Sequence, residues 1–498
     1  MAPRAAGSAP GGVMASPPRT FACIAPIPLL RCGPSMHPAR FPAVPASAER
    51  SPQMKTIRLV ALAAVFALAW PPSAHAQSQA RTRAQAQVRP LYAWMQAAAG
   101  GAWQVRMVLQ PSQPCPAPYR VRAEPDTAFA VRVCEWTFAE GARRRVVAGD
   151  TFALPDSVFR VTVIGDTGCR ATLQNCADPL AWPFARVADD AARAGGQLAI
   201  HVGDYIYRER CTGQYQPCGD NWVTWEADFF APARNLLPSA PWVFARGNHE
   251  DCTRGGRGWY RFLDPGPFPA AGCQFVTDPV AVQVPGVGRM LLFDSACAPW
   301  YSSGCWSTTG GINDSTKAIP FYADQFRKTM PLAAAPSWFI THVPLWAKDA
   351  TGSETSPNPD SAGAYILQSA LRAATGQDGF PPAVALSLVG HIHIWELIGF
   401  AAGRAPVLVA GNGGTARNDP IPAPTGRLDG VAVTSFTETR AFGYTTLERI
   451  GGSWRATLHA IDASCTIGAA QATCVTLQDE DEAEEGAEEA RRARGTQR

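Results

Sequence analysis

Val161-Thr162-Val163-Ile164-Gly165-Asp166-Thr167-Gly168 joins a short apolar run to an aspartate flanked by glycine. The apolar run has the length and the β-branched residues of a buried strand, and we predict a strand over Val158–Gly165. In an α/β sheet, the residues just beyond such a strand line the crevice where ligands bind. The stretch therefore predicts a functional loop at the carboxyl end of a buried strand.

Four further short motifs repeat this arrangement, each directly after an apolar run. They read Gly203-Asp204-Tyr205-Ile206-Tyr207, Gly247-Asn248-His249-Glu250, Thr341-His342 and Gly390-His391-Ile392-His393. Carboxylate, amide and imidazole groups are hard to borderline donors that suit Fe, Mn or Zn. The set predicts a metal site assembled at the ends of several strands.

Strand and helix patterns alternate from about residue 158 onward. After the first predicted strand, Pro179–Gly195 has the pattern of a helix and Leu198–Gly203 that of another buried strand. One face of the helix is apolar and consists of Leu180, Phe184, Val187 and Ala191. This alternation predicts a layered α/β domain. Residues 99–155 instead alternate apolar and polar residues, which predicts a small β-rich module of half-exposed strands.

The segment 54–76 has the anatomy of a secretory signal peptide. Its parts are Met54, the basic residues Lys55 and Arg58, the apolar run Leu59–Trp70 and the cleavage site Ala74-His75-Ala76. The apolar run is shorter than the roughly 20 residues that span a bilayer, so we expect no membrane span. Residues 1–53 are interpreted as an extension from a misplaced start codon or as disorder. The chain is therefore predicted to be exported to the periplasm or the extracellular space.

Cysteine usage agrees with export. Beyond Ala76 the chain has twelve cysteines, an even number that indicates disulfides in an exported protein. Sequence does not determine their connectivity, and we predict pairing between neighbours: Cys115–Cys134, Cys169–Cys176, Cys211–Cys218, Cys252–Cys273, Cys297–Cys305 and Cys465–Cys474. The chain has no Cys-x-x-Cys, which argues against thiolate metal sites.

The charge balance gives no indication of a polyanionic partner. Cleavage after Ala76 would leave 37 basic and 40 acidic residues. Such a chain has no basic excess to attract nucleic acid or a membrane surface, and we expect neither as a partner.

Taken together, the five motifs resemble those of the calcineurin-like metallophosphoesterase superfamily. The resemblance extends over about residues 158–415 and includes Gly411-Asn412-Gly413-Gly414 after a late strand. It implies an α/β fold, a four-layer α/β/β/α sandwich of two mixed sheets with the metals at one edge. The organisation that follows is a linker at 77–98, the small N-terminal β-rich module at 99–155, a catalytic domain at 156–477 and a disordered charged tail at 478–498.

The resemblance also implies a role for each motif residue. Two metal ions would share the carboxylate of Asp204, and the first ion would also bind Asp166 and His393. The second ion would bind three further side chains: Asn248, His342 and His391. His249 would bind no metal and would protonate the leaving oxygen as a general acid.

One position departs from the common superfamily pattern. Many members have a histidine where this chain has Gly168. Tyr207 offers a replacement ligand, as in the purple acid phosphatases that the chain resembles here, in which a tyrosinate binds ferric iron. The implied pair is then Fe with Zn, Mn or Fe. The alternative is a packed aromatic side chain, and Tyr205 shares a face with Tyr207 in an extended segment, so the choice depends on the family spacing alone.

The function that the resemblance implies is an acid-phosphatase-like hydrolase acting on small phosphorylated substrates. A metal-bound hydroxide would attack the phosphorus of a phosphate monoester. The alternative enzyme is a phosphodiesterase of the same superfamily, acting on cyclic nucleotides, nucleic acids or lipid head groups. The alternative from another class is a non-catalytic, metal-stabilised binding protein.

Other polar residues near the motifs receive structural interpretations. His201 and His459 are interpreted as strand histidines, and Glu396 as a hydrogen-bond acceptor for a ligand imidazole. The charged residues around the third motif include arginines that could clamp a phosphate but are expected to face solvent. They are Arg246, Glu250, Arg254 and Arg257.

Overall fold

The structure is a computed structural model of the chain. It describes residues 89–138, 144–147, 150–209, 216–270, 272–299, 305, 314–334, 336–348, 362–401, 403–418, 426–461, 464–467 and 472–475. The predicted signal peptide, the residues before it, the first part of the predicted linker and the charged tail lie outside these ranges.

The described residues form two large sheets and two short hairpins. The strands are β1 (Tyr92–Ala97), β2 (Trp103–Leu109), β3 (Arg120–Ala123), β4 (Arg132–Thr137), β5 (Arg144–Val147), β6 (Asp150–Ala153), β7 (Arg160–Ile164), β8 (Leu198–His201), β9 (Pro241–Phe244), β10 (Val280–Val284), β11 (Gly288–Leu292), β12 (Ser337–Ile340), β13 (Val384–Val389), β14 (Trp395–Phe400), β15 (Val407–Ala410), β16 (Arg427–Leu428), β17 (Val431–Thr439), β18 (Gly443–Ile450), β19 (Ser453–Ala460), β20 (Ser464–Ile467) and β21 (Ala472–Val475). The α-helices are α1 (Phe184–Arg193), α2 (Trp222–Trp225), α3 (Gly256–Phe262), α4 (Ser315–Thr329) and α5 (Ala362–Thr375).

The first sheet has nine strands in the order β19-β18-β7-β8-β9-β1-β2-β4-β3. Its central strands β7, β8 and β9 run parallel. The carboxyl ends of parallel strands lie at the same edge of a sheet. The loops that carry Asp166, Asp204 and Asn248 therefore leave the sheet side by side.

The second sheet has eight strands in the order β10-β11-β12-β13-β15-β14-β17-β16. Strands β11, β12, β13 and β15 run parallel, so the motifs after β12 and β13 also share an edge. The two sheets face each other: the rings of Trp338 and Trp454 are 4.9 Å apart, and Trp395 Nε1 donates to Thr445 Oγ1 at 2.8 Å.

Helices cover the outer face of each sheet. In one apolar cluster Phe184 and Val187 of α1 pack with Ile164 and Trp242 of the first sheet. A second cluster joins α4 and α5 to the second sheet and includes Tyr322, Phe326, Ile366, Leu367 and Phe339. The two mixed sheets with helices on both sides are the predicted α/β/β/α sandwich.

The N-terminal strands belong to the first sheet. Strand β1 is parallel to β9 and antiparallel to β2. Strand β2 then pairs with β4, and β4 pairs with β3. The strands predicted for the module at 99–155 are thus present, and three of them extend the large sheet. Residues 92–97, predicted to be part of a linker, form β1 instead, because their side chains are almost all buried and their backbone groups pair on both sides.

Helix α1 is shorter than the predicted range 179–195. It begins at Phe184, directly after Pro183, and ends at Arg193. Leu180 precedes it and is 60% exposed, so the prediction that Leu180 lies on the apolar helix face was wrong. A proline fixes its own φ and disfavours a helical residue before it, which explains this start.

Four of the predicted disulfides are confirmed: Cys115–Cys134, Cys169–Cys176, Cys252–Cys273 and Cys297–Cys305. Cys218 is also disulfide-bonded, while Cys211 lies outside the described residues. The side chains of Cys465 and Cys474 are not described either. Two of these bridges lie directly beyond the loops of Asp166 and Asn248. Among the described residues, none of the helices is long and apolar enough to cross a membrane.

Candidate metal centre

Four side chains meet between the ends of the two sheets. Asn248 Oδ1 lies 3.0 Å from His342 Nε2 and 2.9 Å from His391 Nδ1. His342 Nε2 also lies 3.2 Å from Asp204 Oδ2. The structure thus brings together the three residues assigned to the second ion and the shared aspartate.

A second group adjoins the first through Asp204. The hydroxyl of Tyr207 lies 3.0 Å from Asp166 Oδ1, 2.9 Å from Asp204 Oδ2 and 3.0 Å from His393 Nε2. Each of these side chains is buried. The other three residues predicted to hold the first ion therefore all contact the hydroxyl of Tyr207.

The chemistry of these donors fits two cations. His342 Nδ1 lies 2.9 Å from the carbonyl of Val202, and His393 Nδ1 lies 2.9 Å from that of Ala416. The Nδ1–H of each ring donates to a carbonyl. In a neutral ring, Nε2 therefore carries a lone pair, which faces the oxygen atoms of the neighbouring donors. Positive charge among these groups would stabilise the cluster. Metal–ligand bonds of about 2.1 Å place adjacent ligand atoms about 3.0 to 3.4 Å apart, which matches the spacings here.

The pKa values of the metal-free protein reflect the same crowding of charge. Burial raises the pKa of Asp166 to about 8. Burial opposes the ionisation of Asp204 as well, but His342 and His249 outweigh it and hold the pKa of Asp204 well below its usual range. Burial likewise opposes the charge on His342, whose pKa Asp204 raises to about 9. In the metal-free protein the buried carboxylate of Asp204 is therefore balanced by the charge of His342.

Strained backbone accompanies the donors. Asp166, Asp204 and His391 have φ values of 52°, 58° and 74°, in the left-handed region that side chains rarely adopt. Strain of this kind is found where a functional geometry is imposed by its surroundings. A Cβ at Gly247 would lie 2.1 Å from Asp204 Oδ1, so the third motif needs glycine to approach the shared carboxylate.

The unusual glycine at 168 has a steric cause. A Cβ there would lie 2.7 Å from the Cα of Ile206 and from the carbonyl oxygen of Tyr205. No side chain can replace Gly168 without moving the Tyr205–Tyr207 segment. The close approach of these two loops leaves Tyr207 to occupy the position beside Asp166.

The structure also decides between the two tyrosines. The hydroxyl of Tyr205 donates to the carbonyl of Ala245 at 2.7 Å, and its ring packs among buried aromatic side chains. Of these two tyrosines, only Tyr207 has its hydroxyl among the donors. Burial, with Asp166 and Asp204, raises the pKa of Tyr207 well above its usual range, so the phenol keeps its proton in the metal-free protein.

His249 lies next to the donors without joining them. Its backbone N–H donates to Asp204 Oδ1 at 2.9 Å, and its ring centroid is 3.9 Å from that of Tyr207. His201 and His459 have structural contacts: their Nε2 atoms lie 3.0 Å and 2.8 Å from threonine hydroxyls. Both also stack on a tyrosine ring.

Of the charged residues around the third motif, Arg246 and Glu250 are buried and Arg254 is 14% exposed, so the expectation that the arginines face solvent was wrong for two of the three. Arg246 donates to Asp294 Oδ2 at 3.1 Å, and Arg254 contacts Glu209 and His249. Arg257 is exposed, as expected. Arg246 Nη2 also lies 3.8 Å and 3.6 Å from the sulfur atoms of the Cys252–Cys273 bridge, a contact that the spacing of charges along the sequence does not reveal.

Two further residues have contacts that bear on the site. Glu396 is buried and accepts a hydrogen bond from the backbone N–H of Lys348 at 3.3 Å. The second residue is Arg170, directly after Cys169, for which the sequence motifs predict no role. After burial, its charge is the largest influence that lowers the pKa of His393, which falls to about 3. Arg170 thus adds positive potential at the donors of the first group.

Glu250 holds the shared aspartate in place. Its Oε2 accepts the backbone N–H groups of Asp204 and Gly247 at 3.1 Å each, and its Oε1 accepts that of Tyr205 at 2.9 Å. The carboxylate is buried and binds the loops of two motifs. Its place directly after His249 was the only indication of this role in the sequence.

Glu250→Gln is expected to destabilise the fold by about 1 to 3 kcal/mol, because an amide nitrogen would face backbone N–H donors in a buried place. Metal affinity should fall by about 10- to 100-fold, since the support of a ligand is lost. Thermal unfolding and metal titration measure both effects. Glu226→Gln is the matched control, because Glu226 accepts a hydrogen bond from Tyr92. Equal behaviour of the two variants would contradict this role.

Comparison with known proteins agrees with this geometry. The family model described as calcineurin-like phosphoesterase matches residues 159–394. This segment is a calcineurin-like phosphoesterase domain. The match ends at the last of the five motifs, so it contains every residue assigned to the two ions. The domain is therefore a metal-dependent phosphoesterase, and its family together with the two donor groups implies a dinuclear metal centre.

Three solved structures are similar to this chain at low sequence identity. A purple acid phosphatase from yellow lupin seeds is 14% identical, with a TM-score of 0.44 over 79% of this chain and 75% of that chain. PhoD is 12% identical, with a TM-score of 0.43 over 78% of this chain and 92% of that chain. A dimetal phosphatase from Danio rerio is 12% identical, with a TM-score of 0.33 over 64% of this chain and 99% of that chain. No curated protein matches the chain significantly.

Proposed function

We propose that the chain is an exported, acid-phosphatase-like hydrolase that cleaves small phosphate monoesters at a centre of two metal ions, one of them ferric iron. The observation that carries this proposal is the contact of the Tyr207 hydroxyl with Asp166, Asp204 and His393. The single phenolic proton can be donated to only one of these three groups at a time. A metal ion bound by the phenolate could bind all three groups together. A phenolate is a hard donor that favours a trivalent ion.

Two bound ions would neutralise the phosphate and make a water molecule nucleophilic at neutral pH. The chain itself supplies the ligands, with Asp204 shared between the ions and six further side chains divided between them. His249 lies at the side of this centre, where it can give a proton to the leaving oxygen. Arg170 adds positive charge that favours an anionic substrate.

The disulfides support the proposal of export. Four bridges join cysteines among the described residues, and such bridges persist in oxidising compartments. The predicted signal peptide at 54–76 would direct the chain there.

An ester panel with metal analysis tests the proposed activity. The purified, metal-loaded protein should hydrolyse p-nitrophenyl phosphate faster than bis(p-nitrophenyl) phosphate, and it should contain two ions per chain. Faster turnover of the bis-ester would assign the chain to the phosphodiesterases. Full metal content without hydrolysis of either ester would favour the non-catalytic binding protein.

Tyr207→Phe tests the ferric ligand. If the phenolate binds ferric iron, the iron-loaded protein is coloured and this variant loses its visible absorption band. Tyr205→Phe is the matched control and should keep the colour, because its hydroxyl bonds only a backbone carbonyl among the described residues. A colourless iron-loaded wild type, or an unchanged spectrum in Tyr207→Phe, would reject Tyr207 as a ligand.

A further inference from the structure

A buried carboxylate contacts the segment that carries Tyr207. Asp228 Oδ2 accepts the backbone N–H of Tyr207 at 3.3 Å, and Asp228 Oδ1 accepts the Nε–H of Arg208 at 2.7 Å. Arg208 Nη2 contacts the same oxygen, and the side chains of Arg208 and Asp228 are 6% and 0% exposed. Charge-assisted hydrogen bonds are strong in such a place, because little water competes for them. Asp228 therefore holds two successive residues of the chain next to the first donor group.

Asp228 is itself fixed by the apolar core. It lies in a π-helical turn, Glu226–Phe230, directly after α2. The next two residues of this turn, Phe229 and Phe230, are fully buried in the apolar cluster of the first sheet. π-Helical turns are rare and are often found at functional sites. The carboxylate of Asp228 thus has a defined position from which it can orient a neighbouring loop.

The arginine bound by this carboxylate also connects the Tyr207 segment with the loop of Asp166. The guanidinium carbon of Arg208 lies 5.9 Å from the centroid of the Trp182 ring, within the range of a cation–π interaction. Trp182 Nε1 donates to the carbonyl of Thr167, the residue after Asp166, at 2.9 Å. These side chains join two of the loops that supply the first donor group.

We propose that Asp228 is a positioning residue for Tyr207. With Arg208 and Trp182, it fixes the phenol beside the carboxylate of the first motif. This inference rests on the proposed function, in which the phenolate of Tyr207 binds ferric iron. Asp228 belongs to neither donor group. It acts through the backbone of Tyr207, because the position of that backbone determines how closely the ring approaches the donors.

Asp228→Asn tests the proposal in the iron-loaded protein. An amide has one acceptor oxygen, which should turn to the charged Arg208 and leave the NH2 group against the N–H of Tyr207. The visible absorption band should then shift or weaken. The affinity for ferric iron should fall by about 10- to 100-fold, as for other residues that support a ligand. A wild-type band together with wild-type iron affinity would overturn the proposal.

Asp264→Asn is the matched control, because Asp264 has the same kinds of contact in another place. Its side chain is 1% exposed, lies 3.6 Å from Arg122 and accepts the backbone N–H of Gly266 at 2.9 Å. The arginine partner belongs to β3 and not to a motif loop. The control should lose stability but keep the wild-type band and iron affinity. An equal change of the band in both variants would reduce Asp228 to a structural role and overturn the proposal.

Trp182→Phe keeps the proposal testable if Asp228→Asn does not fold. Phenylalanine retains a ring beside the guanidinium of Arg208 but loses the hydrogen bond to Thr167. Trp182 is only half-buried, so the variant should fold. Its band should shift from the wild-type wavelength, because one connection between the two loops is lost. A wild-type band in the folded variant would overturn the proposal.

Nuclear magnetic resonance of the zinc-loaded protein gives a readout independent of activity and colour. With isotopically labelled tyrosine, the amide resonance of Tyr207 is assigned by its absence in Tyr207→Phe. In Asp228→Asn this amide should exchange with solvent about tenfold faster, the effect expected when one hydrogen bond is lost. It should not change in Asp264→Asn. Unchanged exchange in Asp228→Asn would overturn the hydrogen bond itself.

The two measurements separate failure of this inference from failure of the proposed function. If the iron-loaded wild type is colourless, Tyr207 is not a ligand of ferric iron and the proposed function fails. The amide exchange of Tyr207 still decides in that case whether Asp228 holds the segment.

Discussion

Asp204→Asn is expected to lower kcat/KM for p-nitrophenyl phosphate by at least about 10³-fold, well beyond the 10- to 100-fold typical of residues that only support a ligand. Asp204 is the one carboxylate that belongs to both donor groups. Asparagine has a single oxygen and no charge, so it cannot bridge two cations. The variant should therefore lose one or both ions, which elemental analysis of the purified protein measures.

Asparagine is the right replacement because of the backbone at this position. Asp204 has a φ of 58°, which asparagine tolerates and which strains alanine. Asp429→Asn is the matched control: Asp429 has a φ of 47° and binds Arg372 and Arg404 rather than the donors. The control should keep both ions. Full metal content and a wild-type rate in Asp204→Asn would remove Asp204 from the centre.

His249→Ala is expected to slow the hydrolysis of phenyl phosphate by about 10²- to 10⁴-fold, the usual contribution of a positioned general acid. Metal content should remain at two ions per chain, because the imidazole of His249 is not part of either donor group. The loss should shrink for 2,4-dinitrophenyl phosphate, since a good leaving group departs without a proton.

The matched control for this substitution is His459→Ala. His459 stacks on Tyr444 with ring centroids 4.7 Å apart and lies 2.8 Å from a threonine hydroxyl, which is a purely structural environment. It should lose stability without a change in the leaving-group dependence. Loss of metal in His249→Ala would show instead that the imidazole is a ligand.

Much of the centre could be predicted from the sequence because six of the seven predicted ligands follow a buried strand by two to four residues. The local pattern of an apolar run, a glycine and a donor is visible in the sequence itself, and parallel strands necessarily bring such ends to one edge. Neighbouring cysteines pair for a related reason: a short loop closes at little entropic cost. The positions of these ligands and disulfides therefore depend either on contacts between residues close in sequence or on the order of the strands in the fold.

Other features depend on contacts between residues distant in sequence, and no pattern in the chain announces them. Glu209 lies next to Arg254 and His249, which are 45 and 40 residues away in the sequence, and Glu250 reaches Asp204 across 46 residues. Burial of these charged side chains requires partners that only folding supplies. The pairing of β1 with β9 likewise joins residues 95 and 241, so the N-terminal strands could be predicted as strands but not as part of the large sheet.

The amino-acid sequence by itself determined the class of fold and the set of candidate ligands, because strand periodicity, glycine spacing and residue chemistry are properties of short stretches. Only the tertiary structure decided that Tyr207 rather than Tyr205 faces the donors, and that the buried carboxylate of Glu250 holds the loop of Asp204. The physical reason is that both features depend on packing between segments that are distant in sequence. Such packing sets the direction of a loop beyond its strand. It also decides which side chains surround a buried charge.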